Sequence, residues 1–264
     1  PKTPKPLTYK NSAKIKVRRK VLQQIAKELS HVLKNDSSKR VVLVHGAGSA
    51  GHVLARKYDL KKGVNGDKQK LKAALKIREN NQKLNAIIIK ILTNAGLPVV
   101  PLHTGSVIAQ SGGEIEDVNY DMVDMALKEG CVPVMYGEMA FDSKLGLSVC
   151  SGDEIVSQLA DYLRVSKIIY ASDIDGIYDL DPYKHRHAKL LQKISLPDLV
   201  SGNLVDLGES HSIDVTGGLF NKIRLLDERF SSNILKQVVV MNGLKKGNFK
   251  KSLQEDSVGT LITL

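Results

Sequence analysis

The sequence is poor in cysteine, aromatics and tryptophan: 264 residues hold 2 Cys, 5% aromatics and 0 Trp. Cys131 and Cys150 lie in apolar or strand-like surroundings without metal-ligand spacing. This argues against a disulfide-stapled scaffold and a cysteine-built metal site. They read as buried thiols of a reducing compartment, so the expected location is cytoplasmic. So few aromatics disfavour a base-stacking platform for nucleic acid. No apolar run approaches the length of a membrane span, and Pro1 to Lys20 is basic and proline-dotted with no apolar signal core. No G-x-x-x-x-G-K-S/T segment occurs, which excludes a P-loop.

What is present is a globular composition, 42% hydrophobic, with a formal net charge of +11. The lysines are spread along the chain without a dense block. The charge therefore reads as a solvated surface or as complement to a small anion such as a nucleotide, with no nucleic-acid or membrane partner.

Val41-Val42-Leu43-Val44 reads as a buried strand. It runs into His45-Gly46-Ala47-Gly48-Ser49-Ala50-Gly51-His52 and then a helix start at Val53 to Tyr58. A glycine turn between strand and helix lets backbone N–H groups approach an anion. His52 would face that anion; the plainer reading is an exposed histidine at a helix start. Gly46, Gly48 and Gly51 also spell G-x-G-x-x-G, the dinucleotide fingerprint. That fingerprint wants an acidic residue ending the next strand, and the nearest candidate, Asp67, sits in a turn, Gly63 to Asp67.

Along the chain, strands alternate with helices. An amphipathic helix covers Ile15 to Leu33, and Lys68 to Asn94 is long and helical with a break near Arg78 to Asn81. Val132 to Tyr136 is a strand, and a hairpin joins Met139–Asp142 to Leu147–Cys150. Ser151 caps a helix running to Leu163. Lys167 to Ala171, Gln237 to Met241 and Val258 to Thr263 are further strands. The pattern predicts one α/β domain over 1–264, a three-layer αβα sandwich with a largely parallel central sheet. Ligands of such sheets bind beyond the carboxyl ends of the strands. The polar motifs fall there: the glycine turn, Ser151-Gly152-Asp153, and Ser172-Asp173-Ile174-Asp175-Gly176. The spaced carboxylates suit a sugar hydroxyl or a metal–phosphate complex; for Asp175, Asp179 and Asp181 the alternative is turn capping. A further glycine pair, in Asp214-Val215-Thr216-Gly217-Gly218, precedes Lys222.

This ordered set, with Val64 to Asp67, Val240 to Leu244 and Val258 to Ile262, resembles the amino acid kinase superfamily over nearly the whole chain. The histidine closing the glycine turn resembles its isopentenyl phosphate kinase branch. The resemblance implies ATP-dependent phosphorylation of a prenyl monophosphate, with Mg²⁺ bridging the ATP phosphates, in a homodimer. Residues about 1–165 would form the acceptor lobe and about 166–264 the ATP lobe. His52 would hydrogen-bond the acceptor phosphate, with Ala47, Gly51 and Gly152 lining its site; Gly48, Asp173, Gly218 and Lys222 would serve ATP. The family usually opens with a strand carrying Lys-x-Gly-Gly-Ser, which this sequence does not show. Lys2 then matches the second family lysine, which stabilises the transferring phosphoryl group, with Lys5 as the alternative. Ala50 stands where the family commonly has Phe, which implies a changed acceptor pocket.

For the acceptor tail, Leu84, Ile87, Ile88 and Ile91 are candidates, against the reading that they are core. Three rivals remain: a phosphonate or other small-acid kinase of the same fold, an NAD(P)-dependent oxidoreductase, and a non-catalytic ATP sensor.

Overall fold

The structure is a computed structural model that describes residues 17–48, 51–180, 182, 184–201, 235, 237–254 and 258–263. In chain order its main elements are α1 (Arg19–Asn35), β1 (Leu43–His45), α2 (His52–Lys57), α3 (Lys68–Asn94), β2 (Val99–Pro101), α4 (Thr104–Val107), β3 (Ile108–Ser111), β4 (Glu114–Val118), α5 (Tyr120–Lys128), β5 (Val132–Tyr136), β6 (Glu138–Asp142), β7 (Gly146–Cys150), α6 (Gly152–Tyr162), β8 (Lys167–Ser172), β9 (Lys193–Ser195), α7 (Leu196–Ser201), β10 (Gln237–Asn242), α8 (Asn248–Leu253) and β11 (Thr260–Thr263).

The strands pair in the orders β1-β5-β2, β8-β10-β11-β9 and β4-β3-β6-β7. Among the described residues, five of the eight pairings are parallel, as the strand–helix alternation requires. The layering follows from the two-residue period of β5. Val134 joins Ala26 and Leu29 of α1 and Ile88, Ile91 and Leu92 of α3 in one apolar cluster. Its neighbour Met135 joins Val123 of α5 and Ile155 and Leu159 of α6 in another. Successive side chains of a strand point to opposite faces, so each face takes its own helix layer. Fully burying side chains such as Leu29 and Met135 contributes about 1.5–3 kcal/mol each.

One sequence expectation changes. The long helix is unbroken from Lys68 to Asn94. The polar residues that suggested a break, Arg78 and Asn81, bond to the carbonyls of Met139 and Gly137 at 2.6 and 3.1 Å. Polar groups are tolerated inside a helix face when a neighbouring strand supplies their partners. Asp67 ends a turn, as read, and also caps α3, accepting from the N–H groups of Gln69 and Lys70 at 2.7 and 3.0 Å. That fixed capping role removes it as a ribose-binding acid. Ile88 and Ile91 belong to the core cluster, with Leu84 and Ile87 packed against it, and Ile88 and Ile91 also line the cavity described below.

One tie between distant segments has no sequence signature. Glu28, in the middle of α1, accepts from the N–H groups of Gly247 and Lys250 at 2.7 and 3.1 Å and so caps the start of α8.

Candidate active site

Three backbone segments that are far apart in sequence meet at the carboxyl end of β1. The Gly137 N–H donates to the His45 carbonyl at 3.0 Å. A Cβ at Gly137 would stand 3.0 Å from the Gly152 nitrogen, and one at Gly152 would stand 3.6 Å from the His45 oxygen. The glycine turn and the start of α6 therefore face one another across Gly137, which sequence reasoning missed. Its signal was a glycine between two apolar strands, Tyr136 and Glu138 on either side.

Local chemistry explains why these segments stop where they do. Ser151 caps α6, accepting from the Glu154 N–H at 3.1 Å, and leaves Gly152 as the first helical residue. Gly51 precedes α2, and its packing is tight: a Cβ there would meet Ala47 Cβ at 2.8 Å, Ile77 Cγ2 at 3.4 Å and Asn81 Oδ1 at 3.5 Å. Only glycine lets the turn lie this close to α3. His52 is the first residue of α2 and is exposed. Ala47, Gly51, His52 and Gly152 all line one cavity of about 1030 Å³. Gly48 adopts φ +52° within the same turn.

Beneath the turn lies a buried polar network. The His45 ring stacks on Tyr136 with centroids 5.2 Å apart. Its Nδ1 lies 3.1 Å from the Gly46 carbonyl, and its Nε2 lies 3.2 Å from the Asn85 side-chain oxygen. Burial holds the imidazole below its usual pKa, opposed by the contacts to Gly46 and Asn85. His103 Nδ1 lies 2.7 Å from the Tyr136 hydroxyl. Glu138 is buried; desolvation pushes its carboxyl up, countered by the Gly105 N–H at 3.0 Å, by Arg78 and by His103.

The second polar centre forms where parallel β8 and β10 end together, Ser172 opposite Asn242. Asp173 is exposed at this end. Asp175 accepts from Asn242 Nδ2 at 2.9 Å and pairs with Lys245 Nζ at 2.8 Å, and these two partners, Lys245 first, hold its carboxyl below the usual value. The Asp179 carboxylate accepts the Lys189 N–H at 2.7 Å, while the Asp179 N–H donates to the Lys189 carbonyl at 3.1 Å, so this aspartate ties two segments together. Lys2, Gly218 and Lys222, with Lys5, Ala50 and Asp181, lie outside the described residues.

Each of β1 and β8 has a strand on one side only among the described residues. The cavity lies between them, lined by Val41 to Ala47 on one side and Ser166 to Ala171 on the other. Among the described residues no group of three His, Cys, Asp or Glu side chains converges to hold a metal ion.

Parallel strands that end in polar centres, one of them a glycine turn facing a helix start, are an arrangement suited to small-molecule kinases, and a model of the amino acid kinase family matches residues 10–241. The isopentenyl phosphate kinase of Methanothermobacter thermautotrophicus is 32% identical over 97% of this chain and 95% of its own. That of Methanocaldococcus jannaschii is 32% identical over 91% of this chain and 89% of its own. A solved isopentenyl phosphate kinase structure superposes with a TM-score of 0.76 at 28% identity, covering 93% of this chain and 91% of the other. The chain belongs to the amino acid kinase family and, within it, to the isopentenyl phosphate kinases.

Proposed function

We propose that the protein transfers the γ-phosphoryl group of ATP to isopentenyl phosphate, yielding isopentenyl diphosphate and ADP. The observation that carries this is the meeting of His52, Gly51 and Gly152 on one cavity at the carboxyl end of β1. An oxygen of the acceptor phosphate attacks the γ-phosphorus as the bond to the β-phosphate oxygen breaks and ADP leaves. Such a transfer needs alignment and charge neutralisation more than covalent help. His52 would donate to the acceptor phosphate, and the backbone at Ala47, Gly51 and Gly152 would cradle it. A phosphate acceptor also favours this reading over carboxylate kinases of the same fold, since an exposed imidazole beside a glycine turn suits a multiply charged anion.

ATP would lie at the β8–β10 end, with Gly48 and Asp173 toward its phosphates, joined by Gly218, Lys222 and Lys2. Residues about 1–165 thus serve the acceptor and about 166–264 the nucleotide. Mg²⁺ carried by ATP would supply charge neutralisation to its phosphates, with Asp173 serving the nucleotide. The family likeness further implies a homodimer, which sedimentation would test. No helix among the described residues is long and apolar enough to cross a membrane, and the proposed location is the cytoplasm.

The test is a coupled ADP-release assay with MgATP, offering isopentenyl phosphate, dimethylallyl phosphate and fosfomycin, with wild type beside His52→Ala. Turnover of isopentenyl phosphate that falls about 10²–10³-fold in the variant is the expected result for loss of one charge-assisted donor. Turnover of fosfomycin alone, or a variant as active as wild type, would refute the assignment.

A further inference from the structure

The wall behind the glycine turn is not the uniformly apolar surface that a hydrocarbon tail would call for. Arg78, Asn81 and Asn85 follow one another at one-turn spacing on α3, and all three turn inward to bond the β1, β5 and β6 region. Two oxygens on this wall have no hydrogen-bond partner among the described residues: Asn81 Oδ1 and Glu138 Oε1. Their residues are 1% and 2% exposed. The residues Asn81 and Glu138 line the same cavity as Ala47, Gly51, His52 and Gly152, among apolar side chains such as Ile77 and Ile88.

The orientation of the Asn81 amide is not arbitrary. Its nitrogen faces the Gly137 carbonyl at 3.1 Å, an acceptor, so the oxygen must be the atom turned away. That oxygen sits beside Gly51, 3.5 Å from where a Cβ there would lie. Glu138 spends its other oxygen on the Gly105 N–H at 3.0 Å, with Arg78 4.0 Å away. Buried polar atoms are retained where a partner completes them. An amide oxygen can only accept. A carboxyl oxygen accepts, or donates when protonated. A hydroxyl group is both donor and acceptor and satisfies either; an alkene offers neither.

We propose that this site takes hydroxyl-bearing short-chain alkyl monophosphates in addition to isopentenyl phosphate, the acceptor hydroxyl donating to Asn81 Oδ1 beside Glu138. The inference rests on the kinase reading of the His52 site and names a wider acceptor class for it. Asn81 is then a specificity-determining residue. The acceptor phosphate stays with His52 and the glycine turn, and the hydroxyl reads the wall behind them.

The test compares kcat/KM for isopentenyl phosphate and 3-hydroxy-3-methylbutyl phosphate, which shares its carbon skeleton, in wild type, Asn81→Leu and Asn81→Asp. Wild type should use the hydroxylated acceptor within tenfold of the alkene. Asn81→Leu should lower the ratio of hydroxylated to alkene acceptor at least tenfold, about 1.4 kcal/mol. Asn81→Asp, which keeps an accepting oxygen, should restore much of it. A purely structural Asn81 would depress both acceptors together and leave the ratio unchanged, which would overturn the proposal. So would a wild type that uses the hydroxylated acceptor more than 100-fold less well than the alkene, a result readable even where the variants do not fold. Turnover of neither acceptor by an ATP-binding wild type would instead sink the kinase reading, and this inference with it.

Discussion

Replacing Gly51 with alanine puts a methyl group 2.8 Å from Ala47 Cβ, closer than real Cβ contacts allow. The methyl cannot move elsewhere, since Ile77 Cγ2 and Asn81 Oδ1 close its other sides at 3.4 and 3.5 Å. Something must shift, and the two residues in closest conflict, Gly51 and Ala47, both belong to the glycine turn. Overpacking of this kind costs about 1–3 kcal/mol. For a chain of this size that lowers Tm by roughly 2–12 °C. Because the turn itself moves, acceptor alignment suffers as well; misplacement approaching 1 Å costs on the order of 10²-fold in rate. Gly152→Ala is the control. Its Cβ would meet Val44 Cγ1 at 3.5 Å, the His45 oxygen at 3.6 Å and the Gly137 nitrogen at 3.8 Å, all ordinary contacts. It should leave unfolding free energy within about 0.5 kcal/mol of wild type. Urea unfolding and acceptor kinetics on both variants decide the matter. A Gly51→Ala protein as stable as Gly152→Ala, with unchanged acceptor KM, would refute the packing argument.

Three further outcomes follow from buried polar groups. Asp142 is buried, which pushes its carboxyl up, but the N–H of Leu145, the Ser148 hydroxyl and the N–H groups of Gly113 and Gly112 outweigh this and hold it at about 2. A carboxyl lowered on folding contributes stability that is complete above the unfolded value near 4 and is lost as pH falls toward 2. That share is on the order of 2 kcal/mol. Asp142→Asn should therefore flatten the acid limb of the stability curve below pH 4, measured by urea midpoints across pH; an unchanged limb would count against the hairpin turn as its source. Glu28→Ala strips the cap from α8 and should cost about 1–3 kcal/mol in chemical denaturation. Thr260→Val should cost a similar amount, since Thr260 Oγ1 accepts the Ile177 N–H at 2.8 Å and donates to the Leu191 carbonyl at 2.6 Å in a buried site; a Tm equal to wild type would argue against either tie.

The sequence by itself determined the local grammar of the molecule. The alternation of apolar strands with amphipathic helices set the fold class, because side-chain period decides which face is buried. The Ser151 cap, the hairpin around Ser143 to Gly146 and the glycine turn ending at His52 were readable because each is decided by residues within a few positions. Tertiary structure alone decided what long-range packing controls. It joined Gly152 to His45 through Gly137, and it turned an apparent helix break at Arg78 to Asn81 into a buried polar wall bonded to Gly137 and to β6. It also assigned Glu28 to a helix 219 residues away. A polar residue on a helix looks the same in sequence whether it meets water or a strand carbonyl. Only the fold supplies the partner, and with it the difference between a surface residue and a wall of the site.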